Sequence, residues 1–120
     1  ARRLGLDYPG MEDDALWVAV EAEAVVGLVA LKRHPDCLEL CALGVEPSRR
    51  GRGIARALIE ALMGEAPGPV HLATVIPGFF ASRGFRPAAA VPATFPARRG
   101  TAWCDGCPTE LCKVMVRPAP

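Results

Sequence analysis

No run of about twenty apolar residues occurs in the sequence, and the basic start Ala1-Arg2-Arg3 is not followed by an apolar signal-peptide core. A membrane-spanning helix is therefore not expected, and a soluble cytoplasmic protein is. Charge of one sign is lacking too. Fourteen basic residues stand against thirteen acidic ones, so no global field draws nucleic acid or an anionic membrane surface. An even set of cysteines is lacking as well, the five standing at Cys37, Cys41, Cys104, Cys107 and Cys112. That argues against a disulfide framework and for reduced thiols or metal ligands. Tyrosine occurs once, as Tyr8, and there is neither a Gly-Lys-Ser/Thr phosphate loop nor an early strand leading into Gly-x-Gly-x-x-Gly. A nucleoside triphosphatase and a dinucleotide fold are set aside on those residues.

What is present is enough apolar residue for one core, and residues 1–120 read as a single domain. Ala15 to Glu21 and Val25 to Lys32 are rich in strand formers and are joined by a short gap, which predicts a hairpin of undefined turn type. Cys37 to Val45 alternates, with Leu38, Leu40 and Ala42 on one face and Glu39, Cys41, Leu43 and Val45 on the other. Ile54, Leu58 and Leu62 recur every four residues, predicting an amphipathic helix from Gly53 to Met63 stopped by Gly64 and Pro67. Val70 to Val75 is a strand, reached from the preceding one through that helix, so parallel pairing is expected. Pro77 opens a short helix through Ala81, residues 86–100 read as an irregular connection, and Lys113 to Val116 is a last strand. The fold class is α/β (α+β), a mixed sheet with antiparallel strands running into one parallel pair flanked by helices.

The densest chemical signal lies between strand and helix. Arg49, Arg50, Arg52 and Arg56 cluster around Gly51 and Gly53. A glycine-rich turn opening a helix exposes backbone N–H groups where the helix dipole favours an anion. Arg50-x-x-Gly53-x-Ala55, preceded by Val45-x-Pro47 and followed by an apolar helix, resembles the pyrophosphate-binding motif of the GNAT superfamily of acetyl-CoA-dependent N-acetyltransferases. Phe79-Phe80-x-x-x-Gly84-Phe85 resembles that family's fourth-helix motif, giving a second anchor. The resemblance runs from about Leu16 onward, so the family's N-terminal strand and helices are expected to be shortened or absent.

The resemblance implies that the parallel pair is splayed, with acetyl-CoA as co-substrate, its pyrophosphate over Arg50, Gly51, Arg52, Gly53, Ile54, Ala55 and Arg56, its pantetheine arm along Leu43, Gly44 and Val45 at the splayed edge, and Phe80 beside it. The N–H of Val45, or one next to it, would bind the thioester oxygen. Phe80 stands where many relatives carry a tyrosine that protonates the leaving thiolate, leaving solvent or Ser82 for that step. Glu39, on the face that alternation assigns to Leu43, is the candidate base for the acceptor amine. The expected reaction is acetyl transfer to the primary amine of a small molecule by direct attack. The N-acetylglutamate synthase-like subgroup is the subgroup indicated, with Arg83, Arg86, Arg98 or Arg99 as partners for a carboxylate. Self-association as a homodimer is allowed. Two rivals stand beside this reading. One is a non-catalytic acyl-CoA-binding or regulatory module. The other is a small zinc-containing interaction protein built on Cys104, Cys107 and Cys112, which have partial ligand spacing without an obvious fourth ligand.

Overall fold

The computed structural model describes residues 14–95 and 112–118. The first two apolar runs pair as the predicted hairpin, β1 (Ala15–Glu21) and β2 (Ala24–His34), antiparallel along seven register positions. The loop is Ala22 and Glu23, and both adopt positive φ, 49° and 66°. That is the handedness two-residue hairpin loops require, reached here without the usual glycine or asparagine. β3 (Cys37–Val45) pairs antiparallel with β2.

Along β3 the predicted alternation fails at one residue. Ala30 pairs with Ala42 but Leu31 pairs with Leu40, so Cys41 is an extra residue on β3 and forms a β-bulge. A bulge inverts the inside-outside parity of the strand beyond it. Leu40 and Leu43 consequently share the face of Leu31 and Val29, while Glu39 shares the face of Lys32 and Ala30. Glu39 and Leu43 thus lie on opposite faces, which corrects the placement that simple alternation gives.

A 3-10 turn at Pro47–Arg49 leads to α1 (Ile54–Glu65). Leu58, Ile59, Leu62 and Met63 form its buried stripe, each such side chain contributing about 1.5–3 kcal/mol by leaving water. The helix runs through Gly64, which was expected to end it, and closes where Ala66 N–H bonds Leu62 O at 3.0 Å just before Pro67. β4 (Val70–Thr74) pairs parallel with β3, as the crossover predicts. Then come α2 (Pro77–Ala81), β5 (Arg86–Pro87) and β6 (Lys113–Arg117). The two-residue β5 is a strand in the segment read as irregular, and it reaches the sheet by pairing with β6.

The sheet order is β1-β2-β3-β4-β6-β5, mixed as expected. Its core lies on the α1 face, where Val29, Leu31, Leu40, Val70, Leu72 and Met115 meet the α1 stripe with Phe80 and Phe85. Gly27 lets α1 approach closely, since a Cβ there would stand 2.9 Å from Ile54 Cγ2 and 3.0 Å from Leu58 Cδ1.

Candidate active site

β3 and β4 pair at only two positions, Leu38 with Val70 and Glu39 with His71. From Leu40 onward β3 keeps β2 on one side and has no β4 partner on the other. Backbone groups pointing into that gap lack the ladder that saturates them elsewhere. The opening is a cleft of about 620 Å³, lined by residues 40–45 of β3, the 49–51 turn, residues 53–56 of α1, residues 72–74 of β4, and Ile76, Phe79, Phe80 and Arg83.

At one end of the cleft α1 begins without a cap. Gly53 is its N-cap in the left-handed region, φ 79°, and no side chain bonds the first turn. The first intrahelical bond shown is Ala57 N–H to Gly53 O at 3.0 Å, so the N–H groups of Ile54, Ala55 and Arg56 have no helical acceptor. Gly51 also has positive φ, 83°, and a Cβ at Gly51 or Gly53 would meet nothing within 4 Å. The result is an open, positively polarised cradle.

The arginines around it divide. Arg49 and Arg52 turn to Glu21 at 3.6 and 3.7 Å, and Arg49 also reaches Glu46 at 3.7 Å. Arg50 Nε donates to Val45 O at 3.3 Å, stitching the turn to the strand end. Arg49, Arg50 and Arg56 line the cleft, and Arg52 does not. Phe80 is buried between Phe79 and Phe85, edge-on to both at 4.9 and 5.7 Å between ring centroids.

The sequence model of the acetyltransferase (GNAT) domain matches residues 12–87. The chain belongs to that family. Solved structures similar to this GNAT domain include N-acetylglutamate synthase from Neisseria gonorrhoeae, complexed with coenzyme A and N-acetyl-glutamate. The likeness has a TM-score of 0.69 and 23% identity, over 88% of this chain and 26% of that one. A GNAT-family acetyltransferase from Staphylococcus aureus matches with a TM-score of 0.68 and 18% identity, over 88% of this chain and 67% of that one. Rv2747 from Mycobacterium tuberculosis, complexed with CoA and NLQ, matches with a TM-score of 0.63 and 23% identity, over 86% and 75%. The chain thus spans about a quarter of the N-acetylglutamate synthase, and at these identities the likeness is one of fold. Among curated proteins none matches by sequence.

On the face of this GNAT domain opposite α1, the last paired residues before the strands part are Glu39 and His71. Glu39 is buried and accepts a hydrogen bond from His34, Nε2 to Oε1 2.8 Å. His71 packs near the Phe95 ring, centroids 6.3 Å apart, and its Nδ1 is buried without a partner. Burial pushes the His71 imidazole below its ordinary pKa, against a smaller upward pull from Asp36. On that face Lys32 pairs with Asp14 at 2.7 Å, and Asp14 also accepts from the Cys41 thiol at 3.3 Å.

The structure therefore brings Leu43, Gly44, Val45, Arg50, Gly51, Gly53, Ile54, Ala55, Arg56 and Phe80 around one cleft, and sets Glu39 across the sheet at its apex. Arg83 lies at the cleft wall under Phe79, while Arg86 lies exposed on β5, on the Glu39 face by register through Val116. Tyr8, Arg98, Arg99, Cys104 and Cys107 lie outside the described residues. Cys112 is a free thiol, and among the described residues no group of three or more His, Cys, Asp or Glu is placed to hold a metal ion.

Sequence reasoning missed Leu40, Cys41, Ala42, Leu72 and Thr74 as cleft residues. Thr74 is buried, and its Oγ1 accepts from Ile76 N–H at 3.0 Å, shaping the turn into α2. No composition signal marks such residues, because it is the parting of two strands that makes them cleft wall.

Proposed function

We propose that this domain transfers an acetyl group from acetyl-CoA to a primary amine of a small molecule, an amino acid being the class favoured, by direct attack with both substrates bound. The observation that carries this is the conjunction of an uncapped helix start at Gly53 with a strand seam that opens directly beside it. A diphosphate meets N–H donors at the first, and an amide-bearing arm finds unpaired backbone in the second. The co-substrate supplies an activated thioester.

The chain's own groups divide the remaining work. The β3 amide at Val45, or its neighbour, would polarise the carbonyl oxygen, a donor fixed in place before reaction. Glu39, at the apex of the divergence and on the far face, would take the proton that the amine loses as its nitrogen bonds to carbon and the carbon–sulfur bond breaks. The departing thiolate takes its proton from solvent, since Phe80 has no hydroxyl and Ser82 Oγ donates to Phe79 O at 2.9 Å. The amino-acid class is supported by the N-acetyl-glutamate and CoA held by the Neisseria gonorrhoeae relative. The Phe80 cluster favours a second reading, a domain that binds acyl-CoA without turnover. CoA release across a panel of amines separates the two.

The test of the main reading is calorimetric. Coenzyme A should bind the wild-type chain. Gly53→Glu should weaken it by about 100-fold or more, because a carboxylate would stand in the anion cradle. Gly53→Asn, which tolerates the left-handed backbone, should keep most of the affinity and control for strain. Wild-type affinity in the glutamate variant, or no binding of coenzyme A by the wild type, would discard the assignment.

A further inference from the structure

Beyond the diphosphate cradle, the far wall of the cleft opens into a second pocket of about 200 Å³ between α1 and the α2 turn. Arg56, Arg83 and Arg117 line it with Glu60, Ser82 and Gly84. Arg56 and Arg83 also line the main cleft, so the two cavities meet at those side chains.

The three arginines are not equivalent. Arg117 is committed: it bonds Glu60 at 2.8 and 3.0 Å and donates to Arg83 O at 3.0 Å. Each partner holds the other charged, since Glu60 is lowered and Arg117 raised chiefly by that hydrogen bond. This neutral pair is scaffolding for the Gly84 turn, whose φ is 88° and whose Cα faces the Arg117 side chain.

Among the described residues Arg83 has no carboxylate partner. Its guanidinium lies 3.7 Å over the Phe79 ring, and Nη1 donates to Phe79 O at 2.6 Å and Ser82 Oγ at 2.9 Å. Its Nε is buried and has no partner. A guanidinium fixed by stacking, with donor capacity left over, is an anion receptor prepared in advance. Arg56 stands exposed on the first turn of α1 and has no ion pair among the described residues.

Three arginines thus face the single carboxylate of Glu60, leaving an excess of positive charge in a pocket that continues from the place where the diphosphate is expected. With the thioester arm running into the seam, the nucleotide end of the ligand must leave in the opposite direction, along α1 and α2. Coenzyme A carries a third phosphate there, a monoester on the ribose 3′ oxygen with a charge of about −1.5 to −2 near neutrality. We propose that Arg56 and Arg83 bind this 3′-phosphate, so that the domain distinguishes coenzyme A from 3′-dephospho-coenzyme A. This rests on the reading of the main cleft as a coenzyme A site. It also removes Arg83 from the carboxylate partners considered for the acceptor, because it serves the α1 side and not the Glu39 face.

The test titrates coenzyme A and 3′-dephospho-coenzyme A into the wild type, Arg56→Gln and Arg83→Lys. Coenzyme A should bind the wild type at least about tenfold more tightly than the dephospho form, the scale of a charge-assisted contact. Arg83→Lys should lose roughly that factor for coenzyme A and retain the wild-type affinity for the dephospho form, which also shows that it is folded, while Arg56→Gln, beside the diphosphate cradle, should weaken coenzyme A more than it weakens the dephospho form. Equal affinities in the wild type, or variants that weaken both ligands alike, overturn the 3′-phosphate assignment while leaving the cleft reading intact. Binding of neither ligand overturns both.

Discussion

The two sides of β3 differ more than any other neighbouring regions of the sheet. Toward β2, pairing runs through eight register positions from His34–Cys37 to Gly27–Val45, interrupted only by the bulge at Cys41. Toward β4 it stops after two. On the closed side the backbone satisfies itself, and side chains supply stability through the α1 stripe. On the open side the backbone is left to be satisfied by something else, and the walls set glycines and arginines beside the core side chains Leu40, Leu72 and Phe80. Backbone pairing and backbone availability are thereby set on opposite edges of one strand.

If that division holds, substitutions should sort by side. The largest effect is expected at the apex. Glu39→Gln keeps size and burial but removes the carboxylate proposed as base, so turnover should fall by about 10²- to 10⁴-fold while coenzyme A affinity stays within error of wild type. Steady-state kinetics beside calorimetry decides this, and unchanged turnover would move the proton transfer to another group. Next is the closed side. Leu62 is fully buried in the α1 stripe, and Leu62→Ala should cost about 2–5 kcal/mol in urea unfolding. Below its own unfolding midpoint, the variant should bind coenzyme A as the wild type does. A loss of affinity in the folded variant would show that the two sides are coupled and break the comparison.

The closed side was the legible one. Strand runs, the fourfold spacing of Ile54, Leu58 and Leu62, and the stop at Pro67 are local signals, and the elements fall within a few residues of where those signals put them. Gly51 and Gly53 were legible for a related reason, since a glycine pair between strand and helix announces a backbone requirement by its own chemistry. The face of Glu39 was not. One extra residue at Cys41 inverts the strand, and nothing in Leu40-Cys41-Ala42 distinguishes a bulged strand from a straight one. Nor could periodicity show that β3 and β4 part after Glu39 and His71, because it reads one strand at a time and the parting is a relation between two strands distant in sequence. Arg83 was legible as a charge but not as a stacked one. Its stacking on Phe79 needs the α2 turn to exist first.

The smallest expected effect concerns His71, at the apex where the two regions meet. Its folded pKa lies below the ordinary value of about 6.5, because burial disfavours the imidazolium more than Asp36 favours it. Below about pH 6.5 the unfolded chain therefore binds a proton that the folded chain resists. Stability associated with this group is complete above that pH and is lost as pH falls through the folded pKa. Asp36 and Glu60, both held below the ordinary carboxylate range by their hydrogen bonds to Thr94 and Arg117, change charge further into acid. Burial raises the Cys37 thiol, which acts only in the alkaline range. Urea midpoints between about pH 5 and pH 7 should accordingly rise with pH in the wild type and rise less steeply in His71→Gln, which keeps a polar side chain without a titrating one. Equal slopes would mean that the ring is as free to protonate in the folded protein as in the unfolded chain. The apex would then belong with the open side in its access to water, not with the closed one.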